Sequence, residues 1–299
     1  MARQGKAALR VGLVQMAVRS DRESTVSAAI SGMREAAQGG AQLVCLQELF
    51  AGPYFCQTED PSAFDLAEPL DGPTATEIAQ VARELGVFVS VPLFERRAPG
   101  LYHNSALLVG PDGGVRSTYR KMHIPDDPQF MEKYYFTPGD LGFVCAKTEL
   151  ASIGTLICWD QWYPEAARLT ALAGAELLLY PTAIGWLPSE KERDGAAQLD
   201  AWKTVQRAHA VANGVFVLAT NRVGQEGAPG TGIEFWGHSF VADPTGRIVA
   251  EAGEGEEVLL ADLDLSVIEE TRRWWPFFRD RRIDAYGGIT KRWGSDSDS

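Results

Sequence analysis

The 299-residue sequence predicts an α/β fold with mixed β-sheets and helices on their outer faces. Strand-like and helix-like segments alternate in each half of the chain, which favours a layered α/β architecture. Several strands, such as residues 41–46 and 175–181, are apolar along their whole length, as is typical of strands buried on both faces. Two sheets that face each other would explain this burial. Turn signals at 111–114 and 243–246 insert hairpins, which argues against a purely parallel barrel.

Each element follows from a local pattern. An amphipathic helix with Ser24 or Thr25 near its N-cap ends around residues 39–40. A second helix, at 73–85, closes at Gly86, the residue type expected just past a helix end. Two more helices are predicted at 164–173 and 198–213. Apolar runs bounded by turn residues predict strands at 9–18, 41–46, 87–95, 104–110, 115–120, 149–157, 175–181, 214–221, 239–242, 247–252 and 257–263.

Composition and charge argue against several classes of protein. The net charge of −12 disfavours a nucleic-acid partner and is compatible with a cationic small substrate. No apolar run reaches the roughly 18 residues of a membrane span, and the first residues lack a secretory signal pattern. The four cysteines and four histidines show no metal-ligand spacing, so no metal is expected. These features predict one cytoplasmic domain over residues 1–299, with reduced thiols and a disordered acidic tail near 295–299.

Cys158 stands where a predicted strand gives way to a turn and then to a helix near Pro164. A thiol at such a junction is accessible and lies close to backbone N–H groups that point outward. A buried structural thiol is the alternative for a lone cysteine.

Two other strands also end next to a single reactive residue, Glu48 after 41–46 and Lys121 after 115–120. A carboxylate, an amine and a thiol brought together can perform acyl transfer, with Glu48 as base and Lys121 stabilising the oxyanion. Taken singly, each residue also fits a plain structural role.

Together with their surroundings, these residues resemble the nitrilase (carbon–nitrogen hydrolase) superfamily. The matching segments run through nearly the whole chain: 11–15, the Glu48 segment, 119–123, 135–139, 154–160, 221–224 and 237–239. The resemblance implies an αββα sandwich of two mixed β-sheets flanked by helices, and it implies no cofactor.

The resemblance also implies a role for each residue of the site. Glu48 is the general base, Lys121 the electrostatic partner and Cys158 the nucleophile, with its thiolate favoured by the adjacent ammonium. Glu132 matches a second acidic position that supports the lysine or positions the substrate. The backbone N–H of Trp159 completes the oxyanion hole.

The residues after the nucleophile bear on the substrate. Relatives that act on N-carbamoyl amino acids place an arginine three residues after the cysteine, where this chain has Gln161. A substrate carboxylate is poorly matched by that change. Residues 158–165, 180–185 and 278–282 resemble N-carbamoylputrescine amidohydrolases, which implies a cationic ureido substrate and a carbamoyl intermediate on Cys158. Which C–N bond breaks first stays open.

The remaining candidates concern the cationic end of such a substrate, which carboxylates and aromatic rings would bind. The candidate carboxylates are Asp160, Asp126, Asp127 and Glu190. The candidate walls and contacts are Trp159, Gln161, Tyr54, Tyr135, Ile184, Trp162 and Trp186. Each also has a structural alternative, because loop aspartates often form turns and tryptophans often pack in cores. His123 fits either a polar loop or a group that supports the site.

Two alternative functions and one structural question remain. Another N-carbamoyl or ω-amide hydrolase, such as a β-ureidopropionase, would use Arg168 or Arg193 for a carboxylate. A silent scaffold would show no fast-reacting thiol, whereas a Cys158 thiolate would be alkylated before Cys45 or Cys145, if those two are buried. The aromatic segment 272–278 fits either the core or an interface of a homo-oligomer.

Overall fold

The computed structural model describes residues 8–228 and 230–294; the predicted acidic tail at 295–299 and the first seven residues lie outside this part of the chain. The strands are β1 Leu9–Gln15, β2 Leu43–Leu46, β3 Phe88–Ala98, β4 Leu101–Val109, β5 Val115–Arg120, β6 Cys145–Lys147, β7 Ser152–Thr155, β8 Leu177–Pro181, β9 Gly185–Trp186, β10 Phe216–Thr220, β11 Val223–Glu226, β12 Ile233–Trp236, β13 Phe240–Ala242, β14 Ile248–Glu251 and β15 Glu257–Leu263. The α-helices are α1 Arg22–Gln38, α2 Pro73–Leu85, α3 Glu132–Tyr135, α4 Pro164–Leu172, α5 Pro188–Asn213 and α6 Ser266–Trp274. Within the described ranges, no helix is both long and apolar enough to span a bilayer.

The strands form two six-stranded mixed sheets. The first sheet has the order β15-β1-β2-β3-β4-β5 and the second the order β14-β13-β10-β8-β7-β6. In each sheet three neighbouring strands run parallel, β1, β2 and β3 in the first and β10, β8 and β7 in the second. Antiparallel strands extend both sides of these parallel groups. The prediction of mixed rather than purely parallel sheets is confirmed.

Alternation along the strands packs the two sheets against each other and helices against their outer faces. In β1, Leu9, Val11 and Leu13 join an apolar cluster that also contains residues of β8 and β10. Val14, on the opposite face, packs in a second cluster with α1 and α2. The outer face of the second sheet packs in the same way against α4 and α5. This order of layers is the predicted αββα sandwich, which is confirmed.

Several boundaries differ from the sequence predictions for local reasons. Helix α1 is capped by Asp21, whose Oδ1 accepts from the Ser24 backbone N–H at 2.8 Å, so the cap lies earlier than Ser24 or Thr25. Helix α5 begins at Pro188, ten residues before the predicted start, because its first turns are charged and largely exposed and show no apolar stripe. Strand β7 is shorter than predicted, since residues 149–151 belong to a turn.

A third, three-stranded sheet, β11-β12-β9, was not predicted. Its strands have two to four residues, and β9 pairs with β12 across a long stretch of sequence that includes helix α5. Such short, non-local pairings leave little periodic signal in a sequence. Strand β6 and helix α6 were missed for a similar reason, because β6 has three residues and α6 buries only Ile268 and Thr271.

The aromatic segment 272–278 is not core. Trp274, Trp275 and Phe277 are 78%, 50% and 44% exposed, so the core interpretation is wrong for these three side chains. Phe278 differs, because its ring lies about 5 Å from the guanidinium groups of Arg168 and Arg272. Arg272 also donates to the carbonyl oxygen of Asn213, so the segment is held at both ends and exposes three aromatic side chains between them.

We predict that Gly154→Ala destabilises the fold. The added Cβ on β7 would lie 2.2 Å from Thr170 Cγ2 on α4, closer than packed atoms can approach. Overpacking of this kind lowers the free energy of unfolding by about 1–3 kcal/mol. Urea denaturation measures it, and Gly253→Ala is the control because its Cβ meets nothing within 4 Å. Equal stability of the two variants would contradict the close packing of β7 against α4.

Candidate active site

The structure brings Glu48, Lys121 and Cys158 together at one end of the sandwich. Glu48 follows β2, a parallel strand of the first sheet, and Cys158 follows β7, a parallel strand of the second. Lys121 comes directly after β5. All three side chains are buried. Strand ends from both sheets therefore supply the three groups.

Lys121 is the centre of a buried hydrogen-bond network. Its Nζ donates to Glu48 Oε1 at 2.7 Å and to Glu132 Oε2 at 2.6 Å. Asn104 Nδ2 donates to the same Glu48 oxygen at 2.7 Å, and the Tyr54 hydroxyl donates to Glu132 Oε1 at 2.7 Å. Because buried charges are tolerated when they are paired and hydrogen-bonded, the ammonium holds both carboxylates in place.

The free oxygen of Glu48 is placed to accept a proton. Glu48 Oε2 is buried and has no hydrogen-bond partner among the described residues. The Cys158 thiol donates only a long contact, with its Sγ 3.8 Å from the carbonyl oxygen of Ala183. The arrangement suits general-base activation of the thiol.

The surroundings of Cys158 disfavour the ionised form of its thiol. Burial raises the pKa of Cys158 well above its ordinary value, and the charge of Glu48 raises it further, while Lys121 opposes both. Lys121 favours the thiolate, as expected, but burial and Glu48 outweigh its effect on the pKa of Cys158. Cys145 is only partly buried. It is therefore not shielded from an alkylating reagent, and the expected order of labelling, with Cys158 before Cys145, no longer follows.

The two partners of the thiol also have shifted pKa values. Burial alone would lower the pKa of Lys121, but the attraction of Glu132 and Glu48 outweighs it, so the pKa is raised well above the ordinary value. Burial raises the pKa of Glu132 to about 7, against the opposing effect of Lys121. The raised pKa favours the ammonium form of Lys121, and a cation suits the stabilisation of an oxyanion.

Both functional loops carry a strained backbone. Cys158 has φ 40° and Leu49, next to Glu48, has φ 48°, in the left-handed region that residues with a Cβ rarely adopt. Arg222 Nη2 donates to the carbonyl oxygens of Glu48 and Leu49 at 2.9 Å each, and its Nη1 donates to Glu226. Such conformations persist when the surroundings over-determine them, and they cluster at functional sites.

Asp160 does not face the substrate, although the sequence made it a candidate for the substrate ammonium. It is fully buried, and its Oδ2 accepts from the Tyr119 hydroxyl at 2.7 Å and the Ile157 N–H at 2.9 Å. Its Oδ1 accepts from the His123 N–H at 3.1 Å and lies 2.7 Å from His123 Nδ1. Asp160 therefore joins the Cys158 loop to the chain on either side of Lys121. His123 is therefore a group that supports the site and not simply part of a polar loop.

Gln161 is also turned away from the cavity. Its side-chain Oε1 accepts from Trp202 Nε1 at 2.8 Å inside the core beneath α5. The backbone carbonyl oxygen of Gln161 accepts from His209 Nε2 at 2.7 Å. The position therefore packs the loop against α5, and the identity of its side chain does not set the charge of the substrate cavity.

The other aromatic candidates divide into support and cavity wall. Tyr54 is buried behind Glu132 rather than lining the cavity, and Trp186 donates its Nε1 to the carbonyl of Gly195. Tyr135 packs in a separate aromatic cluster, where its hydroxyl accepts from the Asp60 N–H. Trp159, Trp162 and Ile184 line the cavity.

The cavity that reaches Cys158 has a volume of about 440 Å³. Its lining combines apolar and aromatic side chains with a few acidic and amide groups: Pro125, Asp127, Pro128, Phe130, Glu132, Cys158, Trp159, Trp162, Ala183, Ile184, Gly185, Leu187, Glu190, Gln198, Ala201 and Trp236. Of the candidate carboxylates for the ammonium, Asp127 and Glu190 line it, whereas Asp126 and Asp160 do not. Elsewhere in the described ranges, too, no three His, Cys, Asp or Glu side chains gather as metal ligands would.

Sequence reasoning missed three supporting residues. Asn104 orients the base, Arg222 holds the base loop and Gln198 lines the cavity. The sequence held a signal for Asn104. Residues 103–105 of β4 are polar, whereas residues 106–109 are apolar, and the structure buries all three polar residues. Gln198 carried no signal, since its exposed helix turn has no distinctive pattern.

We predict that Asp160→Asn lowers the free energy of unfolding by about 1–3 kcal/mol, because the new amide NH₂ faces groups that also donate. Thermal and urea denaturation measure the loss. Asp126→Asn makes the same change at an exposed aspartate and is the matched control, which should change stability little. Wild-type stability in Asp160→Asn would show that this carboxylate is not a structural clamp.

Comparison with known proteins agrees with this geometry. The carbon–nitrogen hydrolase family model matches residues 10–273. A protein from Solanum lycopersicum named N-carbamoylputrescine amidase is 46% identical over 282 residues, which cover 92% of this chain and 93% of that protein. A citrullinase from Francisella tularensis subsp. tularensis is 38% identical over 287 residues, 95% of this chain and 99% of that one.

The fold comparison gives the same result. The crystal structure of a carbon–nitrogen hydrolase from Helicobacter pylori G27 superposes with a TM-score of 0.93 at 47% identity, covering 96% of this chain and 99% of that chain. The predicted superfamily is confirmed. The chain belongs to the carbon–nitrogen hydrolase family of the nitrilase superfamily.

Proposed function

We propose that this enzyme hydrolyses N-carbamoylputrescine to putrescine, ammonia and carbon dioxide. The observation that carries the proposal is the charge of the cavity, which Asp127 and Glu190 line and to which no described lysine or arginine contributes a lining side chain. An acidic cavity with aromatic walls suits a ureido compound that ends in an ammonium. The tomato relative at 46% identity is named for the same activity.

The first half of the proposed reaction forms a carbamoyl enzyme. Glu48 removes the thiol proton through its free oxygen as Cys158 Sγ bonds to the ureido carbon. Lys121 and the Trp159 N–H stabilise the tetrahedral oxyanion, and one such donor is typically worth about 3 kcal/mol of barrier. Glu48 then returns the proton to the terminal nitrogen, the C–N bond breaks and ammonia leaves.

The second half releases the amine. Glu48 takes a proton from water as the water oxygen attacks the carbamoyl carbon, and the carbon–sulfur bond breaks as the proton passes to sulfur. The released carbamic acid decomposes to putrescine and carbon dioxide. Water is the only second reactant, so these steps use no cofactor.

The alternative of an anionic N-carbamoyl substrate is less well supported. Arg168 lies against Phe278 and Arg193 pairs with Asp194, and neither side chain lines the cavity. A substrate carboxylate would face Asp127 and Glu190 without a described cation to balance it. The acidic lining of the cavity, and not the identity of residue 161, favours a cationic substrate.

We predict that ammonia release from N-carbamoylputrescine exceeds that from N-carbamoyl-β-alanine by at least about 100-fold in kcat/KM, because like charges repel the anionic compound. Steady-state assays of the two compounds side by side measure this ratio. Cys158→Ala should lower kcat by at least about 1000-fold, as expected for loss of a nucleophile.

Cys145→Ala is the matched control, because this thiol lies in β6 and does not line the cavity. It should keep wild-type turnover. A preference for the anionic compound would overturn the substrate assignment, and full activity of Cys158→Ala would overturn the mechanism.

The proposal includes a cytoplasmic enzyme that acts as a homo-oligomer, without a nucleic-acid or membrane partner. All four cysteines are free thiols, which is compatible with a reducing compartment. The exposed aromatic side chains of Trp274, Trp275 and Phe277 form the kind of apolar surface that supports association.

Light scattering should therefore give a mass that is a multiple of 32.6 kDa. Trp274→Glu should shift the mass towards the monomer, because a charge would be buried in the interface. Val115→Glu changes an exposed apolar residue on β5 and should leave the mass unchanged. A monomeric wild-type protein would contradict the proposal.

A further inference from the structure

We infer that Glu190 and Gln198, two side chains of helix α5, form the subsite that binds the terminal ammonium of the substrate. Both line the cavity that reaches Cys158, and they are hydrogen-bonded to each other. This inference rests on the proposed function. Three acidic residues line the cavity, and Glu132 is hydrogen-bonded to Lys121 and Tyr54, so charge recognition is assigned to one of the other two, Asp127 and Glu190.

The Glu190 carboxylate is positioned by one hydrogen bond, which engages one of its two oxygens. It is the third residue of α5, in the first turn, where the helix dipole favours a negative charge. Its Oε2 accepts from Gln198 Nε2 at 3.0 Å, which fixes the position of the carboxylate. The other oxygen is left to accept from an ammonium.

Gln198 is oriented by the same bond and supplies a second acceptor. Because its amide nitrogen donates to Glu190, its Oε1 is the remaining polar atom of the side chain. This oxygen is buried and has no hydrogen-bond partner among the described residues. An unpaired buried acceptor is costly, so a hydrogen-bond donor from the ligand would stabilise it.

The surroundings strengthen charge pairing at this end of the cavity. Leu187, Ile184 and Trp236 line the cavity with Glu190, and the first two are partly buried and the third fully buried. Apolar walls lower the local dielectric and thereby strengthen an ion pair. Asp127 is exposed, so water screens its charge more effectively. The ammonium is therefore assigned to Glu190.

The test compares N-carbamoylputrescine with pentylurea, which replaces the ammonium by a methyl group of similar size. We expect Glu190→Gln to lower the ratio of kcat/KM for these two compounds by about 10- to 100-fold, the loss of one charge-assisted interaction. The change should appear in KM more than in kcat. Gln198→Met should lower the same ratio by about 3- to 10-fold.

Glu192→Gln is the matched control, because this exposed carboxylate lies two residues away on α5 and does not line the cavity. It should leave the ratio at the wild-type value. Asp127→Asn tests the competing carboxylate. A large fall in the ratio for Asp127→Asn, with no change for Glu190→Gln, would overturn the assignment.

Binding to Cys158→Ala separates the subsite from the reaction. Calorimetry should show tighter binding of N-carbamoylputrescine than of pentylurea, and adding Glu190→Gln should remove the difference. If this pattern appears while the wild-type enzyme releases no ammonia from N-carbamoylputrescine, the subsite stands and the proposed reaction falls. Equal affinity for the two compounds in Cys158→Ala would overturn the subsite.

Discussion

The Lys121 ammonium donates two hydrogen bonds, one to Glu48 and one to Glu132, and the rest of the site depends on this pair of interactions. Three ionisable groups lie in an interior without water contact, and removing any one would leave an uncompensated charge or an unpaired acceptor. Asn104 and Tyr54 complete the hydrogen bonds of the two carboxylates. The cluster is built at the end of the first sheet, by residues of β4 or just after β2 and β5, and Cys158 reaches it from the end of β7 in the second sheet. The position of the thiol beside the cluster is thereby tied to the packing of the two sheets.

The layered fold could be predicted because burial leaves a strong mark on strands and helices. Apolar runs such as β8 and β10 lie within the sheets, and the hairpin of β4 and β5 formed where its turn signal stood. The small sheet of β9, β11 and β12 could not be predicted, since its pairing depends on a position that only the finished sandwich creates. The start of α5 was missed because helix propensity and a proline act there without an apolar stripe.

The convergence of Glu48, Lys121 and Cys158 at one place could also be predicted, whereas the direction of each neighbouring side chain could not. Glu48, Lys121 and Cys158 follow strand ends, and such positions are readable from a sequence. Asp160 and Gln161 directly follow Trp159, yet their side chains lie on opposite sides of the loop. Cys158 begins this tight turn with a positive φ, which sets the two directions. A contact set by such a turn has no period in the sequence. The roles of Arg222 and Gln198 became visible only in three dimensions.

The raised pKa of the Cys158 thiol has a consequence for the durability of the enzyme. Peroxides and other cellular oxidants attack the thiolate, and the rate of sulfenic acid formation follows the fraction ionised. Burial and Glu48 keep that fraction small in the resting protein. In the proposed reaction, the sulfur becomes nucleophilic only as its proton moves to Glu48 during attack on a bound carbon. The same arrangement that delays activation thus protects the nucleophile from oxidative damage between turnovers.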